Sequence, residues 1–174
     1  MLKKNIFIVV LLLFWVRIQA QEDNSVFQFL KIPFSSHAAA LGGENISIIE
    51  DDLTMAVHNP ALLSCVADKT LNLNYMLYIA GVNAASAAFS RVAGERSTWA
   101  VTAQFVNYGT MKETTSENVI IGTFSAKDMA FSGIYSYDLS DYWSGGVKAN
   151  LIYSNYEKFS SFAIGVDLGL NYYH

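Results

Sequence analysis

From Thr70 onward, apolar and polar residues take turns along the chain, the period-two signature of strands with two unlike faces. Leu71, Leu73, Tyr75, Leu77 and Ile79 alternate with Asn72, Asn74, Met76 and Tyr78. Val82 to Val92 is a second candidate, rich in Ala and Ser, and its facing is ambiguous. Trp99, Val101, Ala103 and Phe105 define a third, and Met129 to Tyr137 a fourth. Trp143 to Tyr153 and Phe162 to Tyr172 complete a set of six. No long amphipathic helix interrupts them. The 93–96 and 138–141 stretches read as tight turns, and Asn107 to Lys127 as a long polar loop.

Residues 21–68 do not alternate in this way. Ala38 to Gly43 is rich in small residues and ends in the pair Gly42-Gly43, where backbones approach closely. Asn45 to Ile49 reads as a short strand, and Leu53 to Val57 as a short helix with Asp at its cap. Asn59-Pro60 breaks the chain, because the residue before proline is driven out of the helical region. Residues 1–20 have the layout of a secretory signal peptide: Lys3 and Lys4, an apolar run from Ile6 to Val16, then small Ala20 before a polar continuation. The rival reading is a membrane anchor, but the run is shorter than the roughly twenty residues a spanning helix needs. The expected domains are therefore a signal peptide over 1–20, a plug-like segment over 21–68, and a strand array over 69–174.

Composition narrows the class. With 52% hydrophobic and 15% charged residues, the chain is the reverse of a disordered one. Eleven Lys and Arg face 15 Asp and Glu, which argues against nucleic acid as a partner. Cys65 is the one cysteine, so no intramolecular disulfide is available, and it reads as a small buried hydrophobe.

An alternating sheet suits a soluble sandwich as well as a membrane barrel. Three features favour the transmembrane antiparallel β-barrel. The strands run about ten residues, enough for a tilted crossing. The non-apolar face is small and polar, as a wet lumen requires. Aromatics gather near strand ends: Tyr75 and Tyr78, Phe105 and Tyr108, Tyr135 and Tyr137, Tyr142 and Trp143, Tyr153 and Tyr156, Tyr172 and Tyr173. The plain alternative is that Tyr is common in any β protein. In the barrel scheme the tight turns lie on the periplasmic side and the long loop outside. Matching apolar faces across a turn near Glu157-Lys158 sets Val147 against Leu168, Leu151 against Ile164 and Tyr153 against Phe162. The same register puts Lys148 opposite Asp167 on the polar face, a predicted lumen pair of about 0.2–1 kcal/mol.

Six strands fall short of the roughly eight in the smallest membrane barrels, and open edges in lipid cost several kcal/mol per unpaired group. The expectation is a piece of a longer barrel whose C-terminal half is missing, with a share in an oligomeric barrel as the other possibility.

Catalytic signals are thin, so no enzyme and no cofactor are expected. His37 and His58 lack a Gly-x-Ser-x-Gly nucleophile elbow. Glu50-Asp51-Asp52 lacks the ligand spacing of a calcium loop and reads as a polar turn or helix start. Gly42-Gly43 is no phosphate-binding motif. No catalytic or metal-binding residue is assigned.

Two motifs carry a family resemblance. The stretch with Gly42 and Gly43, followed by Asp52 to Leu63 with Asn59-Pro60-Ala61, resembles the N-terminal plug of FadL-type outer-membrane barrels. Gly122-Thr123-Phe124-Ser125-Ala126-Lys127-Asp128, leading into a Tyr-containing strand, is similar to the PorV/PorQ branch of that superfamily. The combined pattern resembles PorQ-type proteins of the type IX secretion system of Bacteroidota. Members are about twice as long, with around fourteen strands, so the second half is lacking here. The resemblance implies Gly42, Gly43, Asn59, Pro60 and Ala61 as plug residues, and Gly122, Phe124, Ala126 and Asp128 at the start of a strand. It also implies an outer-membrane location with lipid as surroundings. The implied role is non-catalytic, in protein secretion and cell-surface attachment, with a PorZ-like surface protein as partner. The loop from Asn107 to Lys127 is its candidate dock. A FadL-like transporter of hydrophobic small molecules is the alternative, and a soluble sandwich or lipid carrier the third reading.

Overall fold

The computed structural model describes residues 27–116, 119–157 and 159–173. The signal-peptide reading of residues 1–20 and the C-terminal His174 lie outside them. Six strands form one antiparallel sheet in chain order: β1 (Leu71–Leu77), β2 (Asn83–Val92), β3 (Ser97–Thr114), β4 (Ile120–Ser140), β5 (Trp143–Tyr156) and β6 (Phe159–Tyr172). Each strand pairs only with its sequence neighbours, so β1 and β6 are edges and the sheet is open. The protein is all-β with a few short helical turns.

The two faces differ as the alternation demands. Even-numbered positions of β2 to β5 turn to an inner face of small and polar side chains, among them Ser86, Ala88, Ser90, Thr102, Ala130, Ser136 and Ser144, all buried. Odd positions of β1 to β5 and even positions of β6 form an outer face that is apolar yet exposed: Leu73 at 70%, Ile164 at 69%, Leu168 at 82%. This also settles the facing of β2, whose Ala84, Ser86, Ala88 and Ser90 are covered.

What covers the inner face is the segment from Phe27 to Val66. It has no strand, so the expected strand over Asn45 to Ile49 is not formed. It holds one short helix, α1 (Ser36–Ala40), and 3₁₀ turns at Gln28–Lys31, Met55–Val57 and Pro60–Cys65. Ser35 caps α1 by accepting from the Ala38 N–H at 3.0 Å. Gly42 and Gly43 follow at φ +95° and +106°, a left-handed stop that a side chain would oppose. Phe34, Leu53, Leu63 and Val66 pack on Ala88, Ala100 and Ile134 of the sheet. Phe29 packs on Ala84, Val106, Ala130 and Ile152. Each such buried Phe or Leu contributes about 1.5–3 kcal/mol, so this interface is the core of the molecule.

The β5–β6 register is the expected one: Val147↔Leu168, Leu151↔Ile164, Tyr153↔Phe162 and Lys148↔Asp167. Two expectations about connections need correction. β4 runs on to Ser140, so the second tight turn sits at Asp141-Tyr142 rather than over 138–141. More consequentially, 107–127 is not a loop. β3 continues to Thr114 and β4 begins at Ile120. The β2 ladder stops at Asn83↔Asn107 and the β5 ladder at Ala126↔Tyr156, so the rest projects as a two-stranded ribbon. From Tyr108 to Thr114 it extends about 20 Å, at about 3.3 Å per residue. The stretch hid from periodicity because neither ribbon face is continuously apolar. Its ladder also breaks twice, between Asn107 and Thr110 and between Glu113 and Thr114.

Candidate functional site

The site with most built-in detail is the contact between Asn59-Pro60-Ala61 and the sheet. Asn59 is extended (φ −133°, ψ 105°), as its proline neighbour requires, and its Oδ1 accepts from the Ala61 N–H at 3.1 Å. The break thus doubles as the cap of the 3₁₀ turn Pro60–Cys65, with Pro in the first position. The Asn59 amide donates to the Ile46 carbonyl at 2.7 Å and ties the turn to the earlier part of the segment.

The turn lies on a recess made by two glycines. Gly146 on β5 and Gly169 on β6 are register partners. A Cβ on Gly146 would fall 2.3 Å from the Pro60 carbonyl carbon. One on Gly169 would fall 2.1 Å from Asn59 Oδ1. Only glycine admits the turn at both places. Hydroxyls ring the recess. Ser136 and Ser144 both donate to the Ala61 carbonyl, at 3.3 and 3.0 Å. The Tyr173 hydroxyl is hydrogen-bonded to Ser64 Oγ at 2.6 Å and Ser144 Oγ at 2.9 Å, and lies 3.2 Å from Cys65 Sγ. Cys65 is therefore half-buried beside a polar group, not a buried hydrophobe.

Beside the recess, Lys148 and Asp167 meet at 2.9 Å. The Lys148 ammonium also donates to the Val57 carbonyl at 2.6 Å, so the cross-strand pair reaches the covering segment. Asn150 donates to Asp167 at 2.8 Å and accepts from Ser132 at 2.7 Å, which carries the network across three strands. A gap of about 350 Å³ remains between segment and sheet, with Phe34, Ile46, His58, Gln104, Lys148 and Asp167 among its walls.

The acidic run Glu50-Asp51-Asp52 stitches the segment together. Asp52 accepts from Thr54 N and Oγ1, each at 2.8 Å, and Asp51 from the Ala67 N–H at 2.8 Å. His37 Nδ1 donates to Asp52 at 2.7 Å. That bond raises the imidazole above its ordinary 6.5. Burial pulls the Asp52 carboxyl upward, but hydrogen bonds from His37 and Thr54 outweigh it and hold the group below 3.8. His58 goes the other way: burial pushes it down, Lys148 adds to the push, and Glu44 opposes it.

The strand-start motif has a different fate. Gly122, Phe124, Ala126 and Asp128 all lie in the first part of β4. Gly122 and Phe124 belong to the ribbon, opposite Glu113 and Met111. Asp128 is fully buried at the ribbon's root, where one oxygen accepts from Tyr108 at 2.8 Å and Tyr156 at 2.7 Å. Tyr108 and Tyr156, expected among the interfacial aromatics, thus turn their hydroxyls inward. Tyr108 on β3 and Tyr156 on β5 both have even, inner positions. Tyr173 turns inward as well. Trp143 and Tyr172 keep to the outer face and contact each other at 5.0 Å.

Sequence reasoning placed Asn59-Pro60-Ala61 and the Lys148–Asp167 pair but missed Ser136, Ser144, Gly146, Gly169 and Tyr173. The predicted register already set Gly146 against Gly169, and two facing glycines on a polar face were the available signal. Among the described residues, no group of three or more His, Cys, Asp or Glu is arranged to hold a metal ion. No protein-family model and no curated protein matches this chain.

Proposed function

We propose that this chain forms part of an outer-membrane β-barrel of the PorQ type, with residues 27–66 as its plug and the β3–β4 ribbon as a dock for a surface protein. The reading is non-catalytic and places the protein in secretion and cell-surface attachment. The observation that carries it is the inversion of the sheet: its large apolar side chains are exposed, while its small polar face is covered. In water that arrangement leaves Leu73, Leu77, Ile164 and Leu168 each more than two-thirds exposed. A monomeric soluble protein rarely exposes so large an apolar patch. In lipid it is the stable arrangement.

The dimensions support the same reading. On β4 the outer apolar positions run from Met129 to Leu139, about 34 Å along the strand at about 3.4 Å per residue. A tilt of about 40° reduces that to about 26 Å in depth, against an apolar band of about 25 Å in membrane barrels. Outer positions turn polar in the row Asn107–Lys127–Asn155, the boundary beyond which the ribbon stands. The tight turns 93–96 and 141–142 lie at the opposite end.

Cysteines placed singly at Leu151 and Ile164, and at Asn150 and Gly165, carry the test, with nitroxide labels read in lipid. Oxygen should reach the first two labels and a water-soluble nickel chelate should not, with the reverse order at the second two. Nickel access to Leu151 and Ile164 in the lipid-reconstituted protein defeats the proposal.

The second reading, a FadL-like conduit for hydrophobic molecules, draws on the 350 Å³ gap. Uptake of a labelled fatty acid by vesicles carrying the full-length barrel, lost when Phe34→Trp fills that gap, would favour it over docking.

A further inference from the structure

Val57, His58 and Asn59 are consecutive, and the outer two are anchors. Val57 holds the Lys148 ammonium through its carbonyl, and Asn59 sits on Gly169. Between them, His58 has its Nε2 sealed from solvent with no hydrogen-bond partner among the described residues. A ring nitrogen left in that state costs free energy, and it is not explained by the seat itself. The charged groups facing it are Glu44 from the same N-terminal segment and Lys148 from β5, with Asp167 of β6 lining the same gap.

We infer that His58 makes the seat of the N-terminal segment acid-releasable. A proton on Nε2 finds no acceptor where the ring now lies, meets the Lys148 ammonium, and draws the ring toward Glu44. That swing lifts the Val57 carbonyl from Lys148 and Asn59 from the glycine recess.

The chemistry suits such a device. Histidine is the side chain whose charge changes between about pH 5 and pH 8. A charge arriving in a buried place without a partner is strongly disfavoured, so the seated state excludes the proton until the solution is acidic. Lys148 sharpens the conflict because it is already committed to Asp167 and Val57 and has only 12% side-chain exposure. Burial and Lys148 both keep the ring neutral near neutral pH, so release falls on the acid side of the ordinary range.

Distances between spin labels at Leu41 and Ser160, in the full chain with Cys65→Ser, test this by pulsed electron resonance. At about pH 7.5 one narrow distance is expected. At about pH 5 a second, longer population should appear, absent in His58→Gln and reduced in Glu44→Gln. Identical distributions at the two pH values overturn the inference. So does an acid-induced population that persists in His58→Gln, since the titrating group would then lie elsewhere. The measurement needs no bilayer, so its outcome is independent of the membrane reading.

Discussion

Gly146 and Gly169 face each other across β5 and β6, and the missing side chains of the two leave the recess that Asn59 and Pro60 fill. Gly169→Ala should therefore overpack the seat. The expected cost is about 1–3 kcal/mol, read from urea titration of the micelle-refolded protein. Gly165→Ala is the control, because its Cβ would meet only Asn150 at an ordinary 3.6 Å. Equal stability of the two variants would remove the recess from the account.

Lys148 and Asp167 should not be equivalent. Lys148 is largely covered and serves the Val57 carbonyl as well as the carboxylate, whereas Asp167 is half-exposed at 49%. Lys148→Met is expected to cost about 1.5–3 kcal/mol, the range for hydrogen bonds to charged groups. Asp167→Asn should cost under about 1 kcal/mol, because solvent screens the pair on that side. The same urea titration ranks them.

The two histidines of the segment should titrate in opposite senses. His37 binds its proton more tightly folded than unfolded, so its contribution is fully present below pH 6.5 and is lost as pH rises through its raised value. His58 binds its proton less tightly folded, so stability falls as pH drops below 6.5. Ring-proton NMR of the labelled protein should show the His37 midpoint above 6.5 and the His58 midpoint below it. Asp52→Asn should lower the first and leave the second unchanged.

Arginine scanning along the outer positions of β6 should show a depth profile. Val166 lies midway between the ends of the strand and Tyr172 at one end. Val166→Arg is expected to cost about 2–4 kcal/mol in bilayer refolding, and Tyr172→Arg about 0–1 kcal/mol. A flat profile would contradict lipid contact at this face.

How far the sequence alone could go depended on alternation and its interruptions. Leu151, Tyr153, Phe162 and Ile164 alternate without a break on both sides of a short turn, so the β5–β6 register was readable to the residue. Lys148↔Asp167 came with it. The ribbon was not readable, because beyond Lys127 neither of its faces is continuously apolar and Thr110, Lys112 and Thr123 look like any loop. Tyr108 takes the even, inner parity of β3, which its place near a strand end does not reveal by itself. Of the seat, Asn59-Pro60-Ala61 stood out through its own local geometry. Ser136, Ser144 and Tyr173 did not, because nothing in their neighbourhoods names partners as distant as the Ala61 carbonyl or the Ser64 hydroxyl.

The lining of this wall precedes the wall in the chain. Phe29, Leu53 and Leu63 reach the ribosome's exit before any strand they will support, and their partners Ala84, Ala100, Ile134 and Ile152 arrive one strand after another. Assembly can then proceed strand by strand, each new one gripping a lining that is already there, with no later threading of that lining beneath a finished sheet.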